Sequence, residues 1–272
     1  MTQRGGPWQG AGQASWYAEF CDRFAMYGEV ARALVGALEP SRAARVADLG
    51  SGTGVSATAA LGVLGPAGRV VGVDPAARMV EAARARVADA RARFCVGEAG
   101  DLAAMPEAPF DVATVGSAIW LCEPVEASLT ALGRALRPGG RLGLSVPAEY
   151  LGHYEHLVSP QALSVSAALA SLRGDTPPPS AAPAPPAGLG SLEGFTSLLA
   201  VAGFSSVAAT VFSRISPAPE QRAWLGQPVV LAGLLGTDDP AALARARERL
   251  WAALPDGLAV EQRWLLITAT RP

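Results

Sequence analysis

With 272 residues, half of them apolar, the chain is long enough to bury a substantial core, as one elaborated domain or a domain with a cap. Its 22 basic and 24 acidic residues leave a net charge of −2, which excludes the basic footprint of a nucleic-acid binder. Every basic residue is Arg, so the chain supplies neither a Schiff-base lysine nor a GxxxxGK phosphate loop, and pyridoxal chemistry and Walker-type NTP hydrolysis drop out. The three cysteines, Cys21, Cys95 and Cys122, show neither disulfide nor CxxC spacing, which fits a reducing cytoplasm. The opening MTQRGGPWQGAGQ lacks the apolar run of a signal peptide, and no stretch approaches the ~18 apolar residues of a membrane span. The expectation is a cytoplasmic protein, monomeric or homodimeric.

In chain order, residues 1–40 read as an N-terminal helical cap. Trp16, Tyr17, Phe20, Phe24 and Tyr27 gather on one predicted helix, with Phe20, Phe24 and Tyr27 at i, i+4 and i+7. From 41 to 147, short apolar runs alternate with amphipathic segments, as repeated strand-helix units over a parallel sheet require. Strands are predicted at 45–49, 69–73, 93–96, 110–116 and 141–146. Pro75 is placed at a first helical position, ahead of Met79, Val80, Ala83 and Val87 on one helical face. Pro124 opens a later helix lined by Val125, Leu129, Leu132 and Leu136, which Pro138-Gly139-Gly140 stops. Residues 148–190, ending in a Pro-rich run, read as an inserted lid. Residues 191–272 return to the core: Ser191 caps a helix closed by Gly203, strands follow at 207–215 and 260–269, and a helical insertion at 216–258 lies between them.

The densest chemical signal is Val46-Ala47-Asp48-Leu49-Gly50-Ser51-Gly52-Thr53-Gly54, a buried strand that empties into a glycine-rich turn before a helix. Glycines there admit positive φ and close approach of a ligand, and the helix start offers unpaired N–H groups. A G-x-G-x-x-G dinucleotide loop would put its third glycine at Val55, but this chain has it at Gly54, and Asp48 would stand awkwardly beside a pyrophosphate. That acid suits the ammonium of a methionine moiety instead. Asp74 ends the second strand, where an acid can receive two ribose hydroxyls. Glu98, in Gly97-Glu98-Ala99-Gly100-Asp101-Leu102, follows the third. Three acids at three successive strand ends are more specific than the turn alone.

With these motifs in order over residues 45–146, the sequence resembles the class I S-adenosylmethionine-dependent methyltransferases, specifically the small-molecule group that includes the ubiquinone and menaquinone biosynthetic enzymes. VADLGSGTG is similar to their first motif, VVGVDP to the ribose-binding strand end and VGEAGDL to the adenine turn. FDVATVGSAIWL resembles the strand to the active-site rim, and LGRALRPGG the turn before the fifth strand. The resemblance implies an α/β Rossmann-like sheet of seven strands in the order 3-2-1-4-5-7-6, the seventh antiparallel, with helices on both faces. It implies S-adenosyl-L-methionine as cofactor: Asp48, Gly50 and Gly52 around the methionine part, Asp74 with Pro75 at the ribose, Glu98 and Ala99 at the adenine, Ser117 near the sulfonium and Tyr17 as a cover. The family usually carries Asp where this chain has Glu98. No metal site is expected.

The only two histidines, His153 and His156, follow the fifth strand at i and i+3 spacing and are the candidate catalytic bases. Both are equally compatible with an exposed helix face. Asp48 and Asp74 are compatible with plain turn or helix caps, Glu98 with a solvated loop acid, and the N-terminal aromatics with a core stripe. Trp120 is the candidate acceptor-site wall. The resulting expectation is methyl transfer to a small hydrophobic acceptor, most simply at oxygen, in secondary metabolism. Carbon or nitrogen methylation and a cyclisation or rearrangement on the same scaffold are the alternatives.

Overall fold

The computed structural model describes residues 8, 11–148, 189–254 and 257–272. Seven strands form one sheet: β1 (Arg45–Leu49), β2 (Arg69–Asp74), β3 (Ala92–Val96), β4 (Phe110–Gly116), β5 (Leu136–Pro147), β6 (Ser205–Pro217) and β7 (Ala259–Thr270). Their spatial order is β3-β2-β1-β4-β5-β7-β6, as expected. Strands β1 to β5 run parallel, and β7 lies antiparallel between β5 and β6. The C-terminal ends of β1, β2, β4 and β5 therefore share one edge.

Two layers of helices cover the sheet, and the period-2 alternation of the strands sorts residues between them. On one face, α2 (Met26–Leu38) and α3 (Val55–Val63) pack Met26, Val30, Leu34, Leu38, Ala57 and Ala60 against Val46, Val70, Val112 and Leu266. On the other, α5 (Val125–Ala135) and α6 (Leu192–Val201) pack Leu129, Leu132, Phe195 and Leu199 against Ala47, Leu49, Val71, Val115 and Leu144. Asp48, between Ala47 and Leu49, consequently shares the α2–α3 face with Val46. The Ser191 hydroxyl caps α6 by accepting the Gly194 N–H at 3.0 Å, and Gly203 follows at φ 88°.

Several boundaries differ from the sequence expectation. The N-terminal aromatics lie on two helices, α1 (Ala11–Arg23) and α2, with Phe24 between them. Their stripe looks like one helix because the rings still meet across the break: Phe20 to Phe24 at 5.2 Å, Phe20 to Tyr27 at 5.9 Å, Tyr17 to Tyr27 at 5.3 Å. Pro75 is not the first residue of α4 (Ala77–Arg86) but precedes its N-cap, Ala76. The reason is Asp74, whose Oδ1 accepts the Ala76 N–H at 2.8 Å and forms a turn ahead of the helix. Helix α5 stops at Ala135, before the Pro-Gly-Gly run, because Arg137 precedes a proline and is pushed into extended geometry. That run belongs to β5, with a register shift between Phe110 and Val112 of its neighbour. Between β6 and β7 the expected helix is α9 (Pro240–Ala253), joined by α7 (Ala218–Leu225) and α8 (Pro228–Leu235). These three close a small core of Leu225, Leu231, Leu250 and Leu254. The expected lid falls almost wholly outside the described residues.

Candidate functional site

The site begins where β1 ends. The amides of Gly50 and Ser51 both donate to the Val73 carbonyl, at 2.8 and 3.1 Å, which folds the chain sharply back over the strand ends. Gly50, Gly52 and Gly54 hold φ of 66°, 50° and 84°, a region that costs any residue with a Cβ. At Gly50 a Cβ would also stand 2.8 Å from that of Ala118. Gly54 is the N-cap of α3 and offers no side-chain acceptor, so the first amides of the helix lack a side-chain cap.

Beneath the turn lies Asp48, 1% exposed. Its Oδ1 accepts the Thr114 hydroxyl at 2.7 Å, whereas Oδ2 is buried without a hydrogen-bond partner. Burial pushes the Asp48 carboxyl up to about 7, with the nearby Asp74 adding to the rise and the Thr114 hydroxyl and the Ala57 amide of α3 opposing it. The Ser51 hydroxyl is buried and unpartnered too. Asp74 closes the turn from β2: Oδ2 accepts the Gly52 N–H at 2.9 Å while Oδ1 holds Ala76. Burial raises its carboxyl, and these two amides work in the opposite direction. Asp74 is thus both a turn cap and an acid at a strand end, with acceptor capacity left on each oxygen.

Above the turn opens a shallow cavity, open to solvent, whose enclosed space is about 30 Å³, room for roughly one water. Tyr17 of α1 and Tyr27, Val30 and Ala31 of α2 form one wall. Gly50, Ser51 and Gly52 form the floor, Val55 and Ser56 of α3 a second wall, and Gly116, Ser117 and Ser145 the end of β4 and β5. Ser117 sits at φ 50°, an uncommon state for a residue other than glycine. Its N–H is held by the Ser145 carbonyl at 3.1 Å and Ser145 Oγ at 3.0 Å, which pins the strained residue at the cavity edge. Burial drives the Tyr17 hydroxyl well above its ordinary range, so it serves as a neutral wall. Cys21 beside it is likewise pushed up, to about 11 by burial, which excludes a reactive thiolate.

Residues 46–140, which carry this turn and both acids, match a family model described as a methyltransferase domain. Together with the strand order β3-β2-β1-β4-β5-β7-β6, that match supports a class I methyltransferase fold for this part of the chain. Over 120 residues the chain is 36% identical to a nocamycin O-methyltransferase of Saccharothrix syringae, a match spanning 43% of each protein. It is 36% identical over 169 residues to a trans-aconitate 2-methyltransferase of Azoarcus sp., spanning 61% of this chain and 62% of that one. The chain therefore matches roughly half the length of these relatives. Among solved structures, the YcgJ protein of Bacillus subtilis superposes with a TM-score of 0.55 at 18% identity, covering 89% of this chain and 98% of that one, which shows the shared fold.

The sequence-derived candidates separate in the structure. Tyr17, Gly50, Gly52 and Ser117 meet on the cavity, Asp48 lies under its floor, and Asp74 reaches it through Gly52. Pro75, Glu98 and Ala99 do not line it. Glu98 caps the short 3-10 turn Ala99–Ala104 in a reciprocal box with Asp101, whose Oδ2 accepts the Glu98 N–H at 2.8 Å, so it is not a free loop acid. Ala99 is buried beside it. Trp120 packs against the α5 side of the core rather than on the cavity. His153 and His156 lie outside the described residues. The sequence reading missed Thr114, Ser145 and Ser56. Thr114 and Ser145 carried a signal: each is a hydroxyl in an otherwise apolar buried strand, and such a group needs a partner. Among the described residues no cluster of His, Cys, Asp or Glu that could hold a metal is assembled, and no helix is long and apolar enough to cross a membrane.

Proposed function

We propose that this chain transfers a methyl group from S-adenosylmethionine to an oxygen of a small, largely apolar acceptor. The observation that carries the reading is the pair of buried polar atoms without partners, Asp48 Oδ2 and Ser51 Oγ, at the glycine turn of a methyltransferase domain. A buried carboxyl whose charged form has only the Thr114 hydroxyl and the Ala57 amide to favour it is costly to ionise, and a ligand ammonium relieves that cost. The residues present fit the cofactor. Asp48 would hold the ammonium of its methionine part, with Gly50 and Gly52 allowing close backbone approach, Asp74 backed by Pro75 its ribose and, beyond the cavity lining, Glu98 and Ala99 its adenine edge, with Tyr17 covering it and Ser117 near the sulfur. When bound, that cofactor supplies a methyl group already activated on a sulfonium.

What remains for the chain is to align the nucleophile, exclude water and accept a proton. Tyr17, Tyr27 and Val30 exclude water from one side. The described cavity lining offers hydroxyls but neither imidazole nor carboxylate, so we assign the proton to His153 or His156, which follow β5 directly in sequence. Oxygen as the acceptor atom is supported by the name of the nocamycin relative, and a small acceptor by the names of both relatives. We assign acceptor selection to residues 148–190 and 216–258, which the methyltransferase domain does not include.

Mass spectrometry with methyl-labelled S-adenosylmethionine and a panel of hydroxyl and carboxyl acceptors tests the reading. A labelled ether or ester is expected. A labelled nitrogen or carbon product moves the acceptor atom, and a transformed acceptor without added methyl contradicts the transfer. His153→Ala and His156→Ala should slow turnover and leave affinity for S-adenosylhomocysteine unchanged; full turnover in both sinks the base assignment.

A further inference from the structure

The first turn of α2 supplies one wall of the cavity; Met26 and Val30 seat it in the core, but its leading amides have no side-chain cap. Its N-cap is Ala25, which makes no side-chain cap, and Gly28 occupies the third helical position. Both choices favour fraying, since a capped amide and a helix-forming residue are what normally hold a first turn. Two side-chain hydrogen bonds come to it from the far end of the chain. Trp224 of α7 donates its indole N–H to the Tyr27 hydroxyl at 3.0 Å, across 197 positions of sequence. Two residues further along α2, Glu29 accepts the Arg214 Nε–H at 2.6 Å. Arg214, whose side chain is 7% exposed, continues to Glu220 of α7, 2% exposed, and to Gln262 of β7 at 2.9 Å. Helix α7 thus reaches the wall at two points, once directly and once through Arg214.

We propose that Trp224 is a positioning residue for the cofactor wall: its hydrogen bond to Tyr27, alongside the Arg214 bridge, orders the first turn of α2 against the cavity. The inference rests on reading that cavity as the cofactor site. It makes helix α7 part of the cofactor-binding apparatus, beyond the role in acceptor choice assigned to it above.

Calorimetric titration with S-adenosylhomocysteine of Trp224→Phe, Tyr27→Phe and the double variant tests it, with amide exchange of residues 26–31 read on the same proteins. Each single substitution should weaken binding roughly three- to tenfold, the loss of one hydrogen bond, and the double should be no weaker than the weaker single. Trp251→Phe is the control, because Trp251 donates to the Arg222 carbonyl at 3.0 Å within the same helical region and should leave affinity unchanged. Additive losses, or a Trp224→Phe that behaves like Trp251→Phe, overturn the proposal. Should Trp224→Phe fold poorly, Tyr27→Phe keeps the ring of the wall and removes only the hydroxyl. Faster exchange at residues 26–31 is then expected, and unchanged protection overturns the clamp. If the unaltered protein binds no S-adenosylhomocysteine, the cofactor reading fails while the exchange comparison still decides the clamp.

Discussion

The two ends of the sheet are held together by different chemistry. At β1 and β2 the site is made largely of backbone: three glycines at positive φ, amides donating to Val73, and Asp74 stitching Gly52 to Ala76. At β6 and β7, beyond the backbone ladder, side chains join the strands to α2 and α7, through Arg214, Glu220, Gln262 and Trp224. A backbone-built site demands particular local sequence, because only glycine tolerates the geometry. A side-chain-built joint demands partners that are distant in sequence. The first kind is therefore legible as a local motif, and the second only from the fold.

Breaking the side-chain joint should have the largest effect. Arg214→Ala leaves the Glu220 carboxylate, 2% exposed, buried beside the Ser216 hydroxyl alone, and should cost about 3–5 kcal/mol in urea unfolding. A loss below about 1 kcal/mol would mean that water replaces the guanidinium. At the backbone-built end the sign reverses for Asp48→Asn. A carboxyl raised to about 7 from an unfolded value near 4 binds its proton more tightly in the folded state. Its stabilising effect is complete below the unfolded value and is lost as pH rises from about 4 to about 7. Asn removes that loss, so the ligand-free variant should be more stable than its parent by roughly 1–4 kcal/mol at pH 8 and nearly equal at pH 4. Equal stability at both values would show that Asp48 is not desolvated. The variant should also bind S-adenosylmethionine more weakly.

Gly50→Ala sharpens the contrast further. The new Cβ meets positive φ and a contact of 2.8 Å, so a loss of roughly 1–3 kcal/mol is expected in thermal unfolding, with weaker cofactor binding. Val211→Ser on the exposed edge strand, at 45% exposure, is the smallest change, within about 0.5 kcal/mol. A large effect there would mean that β6 is covered in solution.

The same contrast explains what the sequence made legible. Strands β1 and β4 could be bounded to the residue because strands buried on both faces read as continuous apolar runs. The glycine turn and Asp74 were legible because their chemistry is local. Thr114 as partner of Asp48 was within reach: two buried polar residues on adjacent strands ask for each other. The Tyr27–Trp224 tie was not, since no pattern within either segment points across 197 residues. Pro75 was misplaced by two positions because the side chain of the residue before it, not propensity, sets the helix start. Glu98 presented the same ambiguity, and its reciprocal box with Asp101 is visible only once the 3-10 turn exists.

The central claim is that the turn between β1 and α3, closed by Asp74, binds S-adenosylmethionine. Calorimetric titration of the intact protein and of Asp74→Ala with S-adenosylmethionine tests it most directly. Saturable binding by the intact protein, weakened in the variant by roughly 1–3 kcal/mol through loss of paired hydrogen bonds, is the predicted result. Equal affinity in the two proteins would contradict the placement of the cofactor, and no binding by the intact protein would contradict the claim itself.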